Sequence, residues 1–157
     1  MNVIDTTGIK EENAKKMVKA LNSYLANLHV HYSNLRGFHW HVEGINFFGM
    51  HAKLEELYDE AFEQIDAVAE RILMLDGTPV RVFSDIEKSA TIKETEVVKD
   101  DKKIIKHLLD AFKILIKQER EILALSDEIG DVATNDLITG YLTAREKTTW
   151  MFTALTK

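Results

Sequence analysis

Residues 37 to 71, GFHWHVEGINFFGMHAKLEELYDEAFEQIDAVAER, place His39, His51, Glu55, Asp66 and Glu70 among apolar residues that recur at helical spacing. The glycine-bearing VEGINFFG interrupts that spacing, so the stretch reads as the end of one helix, a short joint and most of a second helix. Upstream, Met17, Leu21, Tyr24, Leu28, Tyr32 and Leu35 form one stripe, which predicts a first helix from about residue 10 to about residue 40. Downstream, the second helix starts near Gly49 and runs to MLDGTP, where Gly77 and Pro79 supply a stop.

The segment from Val80 to Val98 has no clean period and reads as a long crossover, with one short helix around SDIEKSA that Ser84 is placed to cap. A third helix is expected from Asp100 to Ile129, with Ile105, Leu108, Phe112, Leu115, Ile122 and Leu125 inside and Gly130 ending it. The fourth is expected from Ala133 to Leu155, burying Leu137, Tyr141, Phe152 and Leu155. Two helical hairpins joined by a long crossover make an all-α, ferritin-like four-helix bundle. With 157 residues, 45% of them hydrophobic, the chain is read as one domain spanning residues 1–157.

Composition removes several classes of function. There is no cysteine, which excludes disulfide frameworks and thiolate metal sites and suits a cytoplasmic location. No apolar run reaches the length of a signal peptide or a membrane span, so neither export nor membrane insertion is expected. The net charge of -6 opposes contact with a polyanion unless basic residues cluster. Near the N-terminus Lys10, Lys15 and Lys16 are balanced by Asp5, Glu11 and Glu12, so no basic tail is present there.

On a helix turning by about 100° per residue, His51, Glu55, Phe62, Asp66 and Glu70 fall within one sector of roughly 100°. His51 and Glu55 are one turn apart, as are Asp66 and Glu70, the spacing at which two side chains grip one ion. At ~1.5 Å per residue, however, Glu55 and Asp66 lie roughly 16 Å apart along the axis, too far to share an ion. The chain therefore holds half of a site. Two copies of this helix packed antiparallel about a two-fold axis would bring His51 and Glu55 of one chain opposite Asp66 and Glu70 of the other, and symmetry would make two such sites. His39, across the joint, is placed to join His51 and Glu55.

Acidic pairs one turn apart are also the ordinary dress of a solvated helix, and the residues alone leave both readings open. Mixed imidazole and carboxylate ligands suit iron, manganese or zinc. None of the six histidines has a glutamate three residues before it, so the Glu-x-x-His motif of an in-bundle di-iron site is absent.

These residues resemble the Dps family, the mini-ferritins or starvation-induced DNA-binding proteins. LRGFHWHVEGINFFGMHAKLEELYDEAFEQIDAVAERILMLDGTP is similar to the family signature, and GDVATNDLITGYL with EKTTWMF to its final helix. The resemblance implies a homo-dodecamer built from two-fold dimers, with His39, His51 and Glu55 from one subunit and Asp66 and Glu70 from its neighbour. It further implies a ferroxidase that oxidises ferrous iron with hydrogen peroxide in preference to oxygen, stores ferric mineral in the hollow shell, and limits oxidative stress. Iron is the expected metal, with zinc or manganese as alternative occupants. Glu55 departs from the Asp of many members by one methylene, which keeps the ligand type and bears on the spacing of the two metal positions. Trp40 matches a tryptophan that lies close to the iron centre in many members and is oxidised there; from the residues, an interface anchor is the competing reading. Phe47, Phe48 and Met50 are read as packing residues, and His29, His31, His41 and His107 as core or surface histidines.

Asp127 and Glu128 lie at the C-terminal end of the third helix, where the macrodipole disfavours anions and invites a cation. Asp131 and Asp136, near the start of the fourth, are good capping choices. They also match acidic positions of three-fold iron-entry pores in the resembled family. Members that bind DNA directly use lysine-rich terminal extensions, which this chain lacks, so weak or absent DNA affinity is expected, with nucleoid association left as a secondary possibility. The rival reading is a non-enzymatic shell or nucleoid-compacting protein that keeps the acidic stripe for dimer contacts. A zinc hydrolase is disfavoured for want of a general base.

Overall fold

The computed structural model describes residues 1–157. It is all-helical: α1 (Val3–Thr7), α2 (Glu11–His41), α3 (Phe47–Met74), α4 (Phe83–Ser89), α5 (Asp101–Ile129) and α6 (Val132–Leu155). The four long helices form a bundle in which α2 pairs with α3, α5 with α6, and α2 also packs on α5. The crossover leaves the far end of α3, carries α4, and returns to the α2–α3 joint. There Glu43 N–H donates to the Lys99 carbonyl at 2.9 Å, and Lys99 Nζ meets Glu43 Oε1 at 2.6 Å. The crossover thus runs the length of the bundle, and α5 descends parallel to α3.

Sequence explains most of the boundaries. Asp100 caps α5 by accepting from the Lys103 N–H, and Gly130 ends it in the left-handed region at φ 72°. At the end of α3 the left-handed position falls on Asp76 (φ 57°) rather than on Gly77. Gly77 answers a different need: a Cβ there would lie 2.6 Å from Val18 Cγ2. Asp76 also receives the Val3 and Ile4 N–H groups at 3.1 and 3.0 Å, which anchors α1, an element the periodicity did not announce. Ser84 does not cap α4; Val82 takes that place without a side-chain bond. Two burial expectations are also corrected. Leu155 and Phe48 are exposed, whereas Ile138, one residue past the expected Leu137, is fully buried.

Three asparagines on α2 hold the extended crossover, which has no helix of its own over most of its length. Asn22 Oδ1 accepts from Val80 N–H and its amide donates to the Thr78 carbonyl. Asn34 binds Thr95 N–H and the Lys93 carbonyl in the same manner. Between them, fully buried Asn27 accepts from both Thr91 and Ile92 N–H at 2.8 Å. Asn27→Ala leaves two N–H groups without partners, and since each such loss costs ~1–3 kcal/mol it is expected to lower stability by about 2–6 kcal/mol. Urea unfolding of this variant beside Asn34→Ala, whose bonds lie nearer solvent, should show the larger loss at Asn27.

The apolar core has two parts. One gathers Met17, Leu21, Leu25, Leu28, Val68, Ile72, Leu115 and Ile138; the other Leu35, Phe38, Leu54, Ile104, Leu108, Phe112 and Phe152. No helix is long and apolar enough to cross a membrane.

Candidate metal centre

His39 lies in the last turn of α2 and His51 in the first turns of α3, so the joint folds the two histidines onto each other. Their rings stack at 3.7 Å between centroids with planes 20° apart. The bonding is reciprocal: His39 Nδ1 donates to the His51 carbonyl and His51 Nδ1 to the His39 carbonyl, both at 2.8 Å. A carbonyl can only accept, so each Nδ1 carries the proton, and in the neutral imidazole each Nε2 keeps a free lone pair. That tautomer is the one a metal requires, and carbonyl partners of this kind fix ligand orientation in metal sites. Phe47 stacks on the outer face of His51 at 5.1 Å. Tyr58 meets His39 edge-on at 5.3 Å.

Glu55 lies one turn beyond His51 on α3, on the same side of that helix, and is exposed. Partial desolvation, followed by the Glu55 and Asp59 carboxylates, raises the Tyr58 phenol above its ordinary range, which keeps it a neutral donor. Tyr58 was not singled out from sequence, although it is seven residues after His51 and therefore on the same face. Asp66 and Glu70, also exposed, lie further along α3 and are not brought to the histidines. Within one chain no three His, Asp or Glu side chains come close enough together to hold a metal ion.

Between the two groups of candidate ligands the surface is aromatic. Trp40 and Phe62 are 63% and 57% exposed, large values for such side chains. Tyr32 packs against Tyr58 and Phe62. The Arg36 guanidinium lies 4.6 Å from the Tyr32 centroid and 5.5 Å from that of Trp40, and its Nε is buried without a partner.

The acidic segment divides. Asp136 is exposed on α6 and Asp127 accepts from Asn135 Nδ2. Asp131, expected beside Asp136 as a pore carboxylate, is only 2% exposed. Its Oδ1 accepts from Arg71 Nη2 at 2.7 Å and from Thr134 N–H, and its Oδ2 from Thr134 Oγ1. With both oxygens engaged it is a helix cap and a buried ion-pair partner, and it offers nothing to a passing cation.

The remaining histidines stand apart. His31 is buried edge-on against Phe112, and burial, with the Arg145 cation as a second cause, lowers its pKa to about 3. The unfolded chain binds this proton below an ordinary pKa of about 6.5 while the folded chain does not, so folding loses stability as pH falls from 6.5 towards 3. Between pH 7 and pH 5 this single group is expected to remove about 2 kcal/mol. Chemical denaturation at both pH values should show that difference shrinking in a His31→Gln variant.

Comparison with known proteins agrees with this architecture. Residues 18–157 match the family model of the ferritin-like domain. The DNA protection during starvation protein of Porphyromonas gingivalis is 41% identical over 152 residues, 97% of this chain and 96% of that protein. The crystal structure of the Dps protein from Vibrio cholerae O1, a ferritin-like diiron-carboxylate protein, superimposes with a TM-score of 0.93 at 42% identity, covering 95% of this chain and 94% of that one. A Listeria innocua Dps soaked with zinc superimposes with a TM-score of 0.85 at 32% identity, over 88% and 94% of the two chains. The chain belongs to the Dps family of ferritin-like proteins.

Proposed function

We propose that the chain is a ferroxidase and iron-storage subunit that works as a homo-dodecamer of two-fold dimers. The observation that carries the reading is the His39/His51 pair, which presents two free Nε2 lone pairs where the same chain supplies too few ligands to complete a metal site. In the dimer, His39, His51 and Glu55 face Asp66 and Glu70 of the partner subunit. The exposed Trp40 and Phe62, and the unpartnered Arg36 Nε, suit a face that a second copy covers.

Ferrous iron is the substrate. Two ferrous ions each give one electron to hydrogen peroxide, whose O–O bond breaks to two waters with two protons taken up. The imidazoles fix one ion, and the carboxylates hold the pair together and offset the charge that rises on oxidation. Peroxide is the preferred oxidant over oxygen, and its two-electron reduction avoids hydroxyl radical, so oxidative stress is limited. Trp40, directly after His39, is an oxidisable side chain beside the site. Ferric mineral is stored in the shell, and Asp136 serves cation entry. Zinc and manganese compete for the same ligands. The protein acts in the cytoplasm.

Anaerobic ferrous loading followed by peroxide titration tests the reading: consumption of one peroxide per two irons is expected. His51→Ala and Asp66→Ala variants that assembled normally yet oxidised iron at the parental rate would leave a non-enzymatic shell as the answer. With a net charge of -6 and no basic cluster, DNA binding is expected to be weak or absent, so a gel shift at moderate salt should leave the DNA unretarded.

A further inference from the structure

Ferritin-like di-iron proteins build their metal sites inside the bundle, with ligands from all four helices. The corresponding place in this chain, where one side chain from each long helix meets at the bundle centre, holds Tyr24 of α2, Gln64 of α3, Glu119 of α5 and Arg145 of α6, all buried. Along α3 and α6 these polar residues separate the two halves of the apolar core, Ala61 from Val68 and Phe152 from Ile138. Glu119 Oε1 accepts from the Tyr24 hydroxyl at 2.7 Å and from Arg145 Nε at 2.8 Å. Arg145 Nη2 donates to Gln64 Oε1 at 2.9 Å and to the Tyr24 oxygen at 3.4 Å. Glu119 Oε2 is buried and has no partner.

The donor set does not fit di-iron. One carboxylate stands where such a site needs several, no histidine hydrogen-bonds to the cluster although buried His31 lies within range of the Arg145 charge, and a guanidinium, which has donors only and stays charged at every working pH, lies in the middle. Burial pushes the Tyr24 phenol far above its usual range, so it keeps its proton and gives the hydrogen bond to Glu119. The oxygens of Tyr24, Gln64 and Glu119 nonetheless all lie against the guanidinium, and oxygen is the donor a hard cation takes. They even include an acceptor, Glu119 Oε2, that the guanidinium leaves unused.

We infer that Arg145 is an internal plug: its guanidinium occupies the cation position of an in-bundle site, closes the core to divalent metal ions and confines them to the surface wall at His39 and His51. The single Glu119 charge is already balanced, and a divalent ion entering would meet a fixed cation in a medium of low dielectric. Arg145 is therefore a specificity residue that decides where the chain binds metal. This inference concerns ion exclusion and stands whether or not the surface wall is a ferroxidase half-site.

The test uses assembled protein with redox-inert Co2+, in a His39→Ala/His51→Ala background so that uptake in the core is read apart from the surface. The background chain and an R145K derivative, which keeps a cation in place, are expected to take no Co2+ into the core and to unfold at the same temperature with or without it. R145H is expected to gain a Co2+ ion in each chain by calorimetric titration, visible Co2+ absorption, and a melting temperature that rises with Co2+; adding E119Q should abolish all three. The plug is refuted if folded R145H binds no more Co2+ than the background, or if the background already binds Co2+ that E119Q removes. If R145H folds only when Co2+ is supplied, the inference is upheld. If it fails with and without Co2+ while R145M/E119Q folds, the inference is overturned.

Discussion

A shell reassembled from equal amounts of two inactive chains, one carrying His39→Ala and His51→Ala and the other Asp66→Ala and Glu70→Ala, is expected to recover about a quarter of the parental ferroxidase rate. Each chain assembled alone should lose at least about 100-fold, since loss of a mere outer partner of a metal ligand already costs ~10–100-fold. The recovery follows from two-fold symmetry. In a mixed dimer one of the two pockets joins intact histidines with the partner's intact acids, while the other collects all the damage. Random pairing makes about half the dimers mixed. Stopped-flow oxidation of ferrous iron after joint unfolding and reassembly reads the outcome. Pockets completed within a single chain would give no recovery at all, and an acidic stripe that serves only subunit contact would leave the Asp66→Ala/Glu70→Ala chain active by itself.

Arg71→Met is expected to be the most destabilising single change at the α3–α6 contact, by about 3–5 kcal/mol. Arg71 and Asp131 side chains are 11% and 1% exposed and meet at 2.7 Å. Arg71 Nε also donates to Thr134 Oγ1 at 2.8 Å, and that hydroxyl donates its own hydrogen bond to Asp131 Oδ2. Removing the guanidinium strands a carboxylate whose side chain is only 1% exposed. Asp131→Ser added to Arg71→Met removes that charge and keeps a side chain that caps α6, so most of the loss should return. Equal unfolding midpoints in urea for the single and double variants would show that the stranded charge is not the cause.

The four long helices were legible because the one proline lies outside them, and α3 and α5 in particular carry clear apolar stripes. Gly130 stops α5 by adopting φ 72°, as glycine at that position should. The features that local sequence does not display depend on contacts distant along the chain. The short α1 exists because Asp76, seventy-three residues from Val3, captures its first N–H groups. Asn22, Asn27 and Asn34 look like ordinary helix-surface residues until the crossover lies against them. Asp131 misled for the same reason: an acid at a helix start is as good a cap as a pore lining, and only the approach of Arg71 decides between them. At the candidate metal centre, helical arithmetic grouped His51, Glu55, Asp66 and Glu70 and separated the two pairs by distance. It had no means of foreseeing the face-to-face rings of His39 and His51, which rest on how sharply residues 42 to 46 turn.

The crossed bonds between those two rings have an evolutionary corollary. Each imidazole is steered by a peptide oxygen, which every amino acid carries, so no single codon change elsewhere can delete the support that aims it. Drift in neighbouring side chains leaves the aim intact. An insertion or deletion between residues 42 and 46, which would slide one helix end past the other, is the lesion to which the pair is vulnerable.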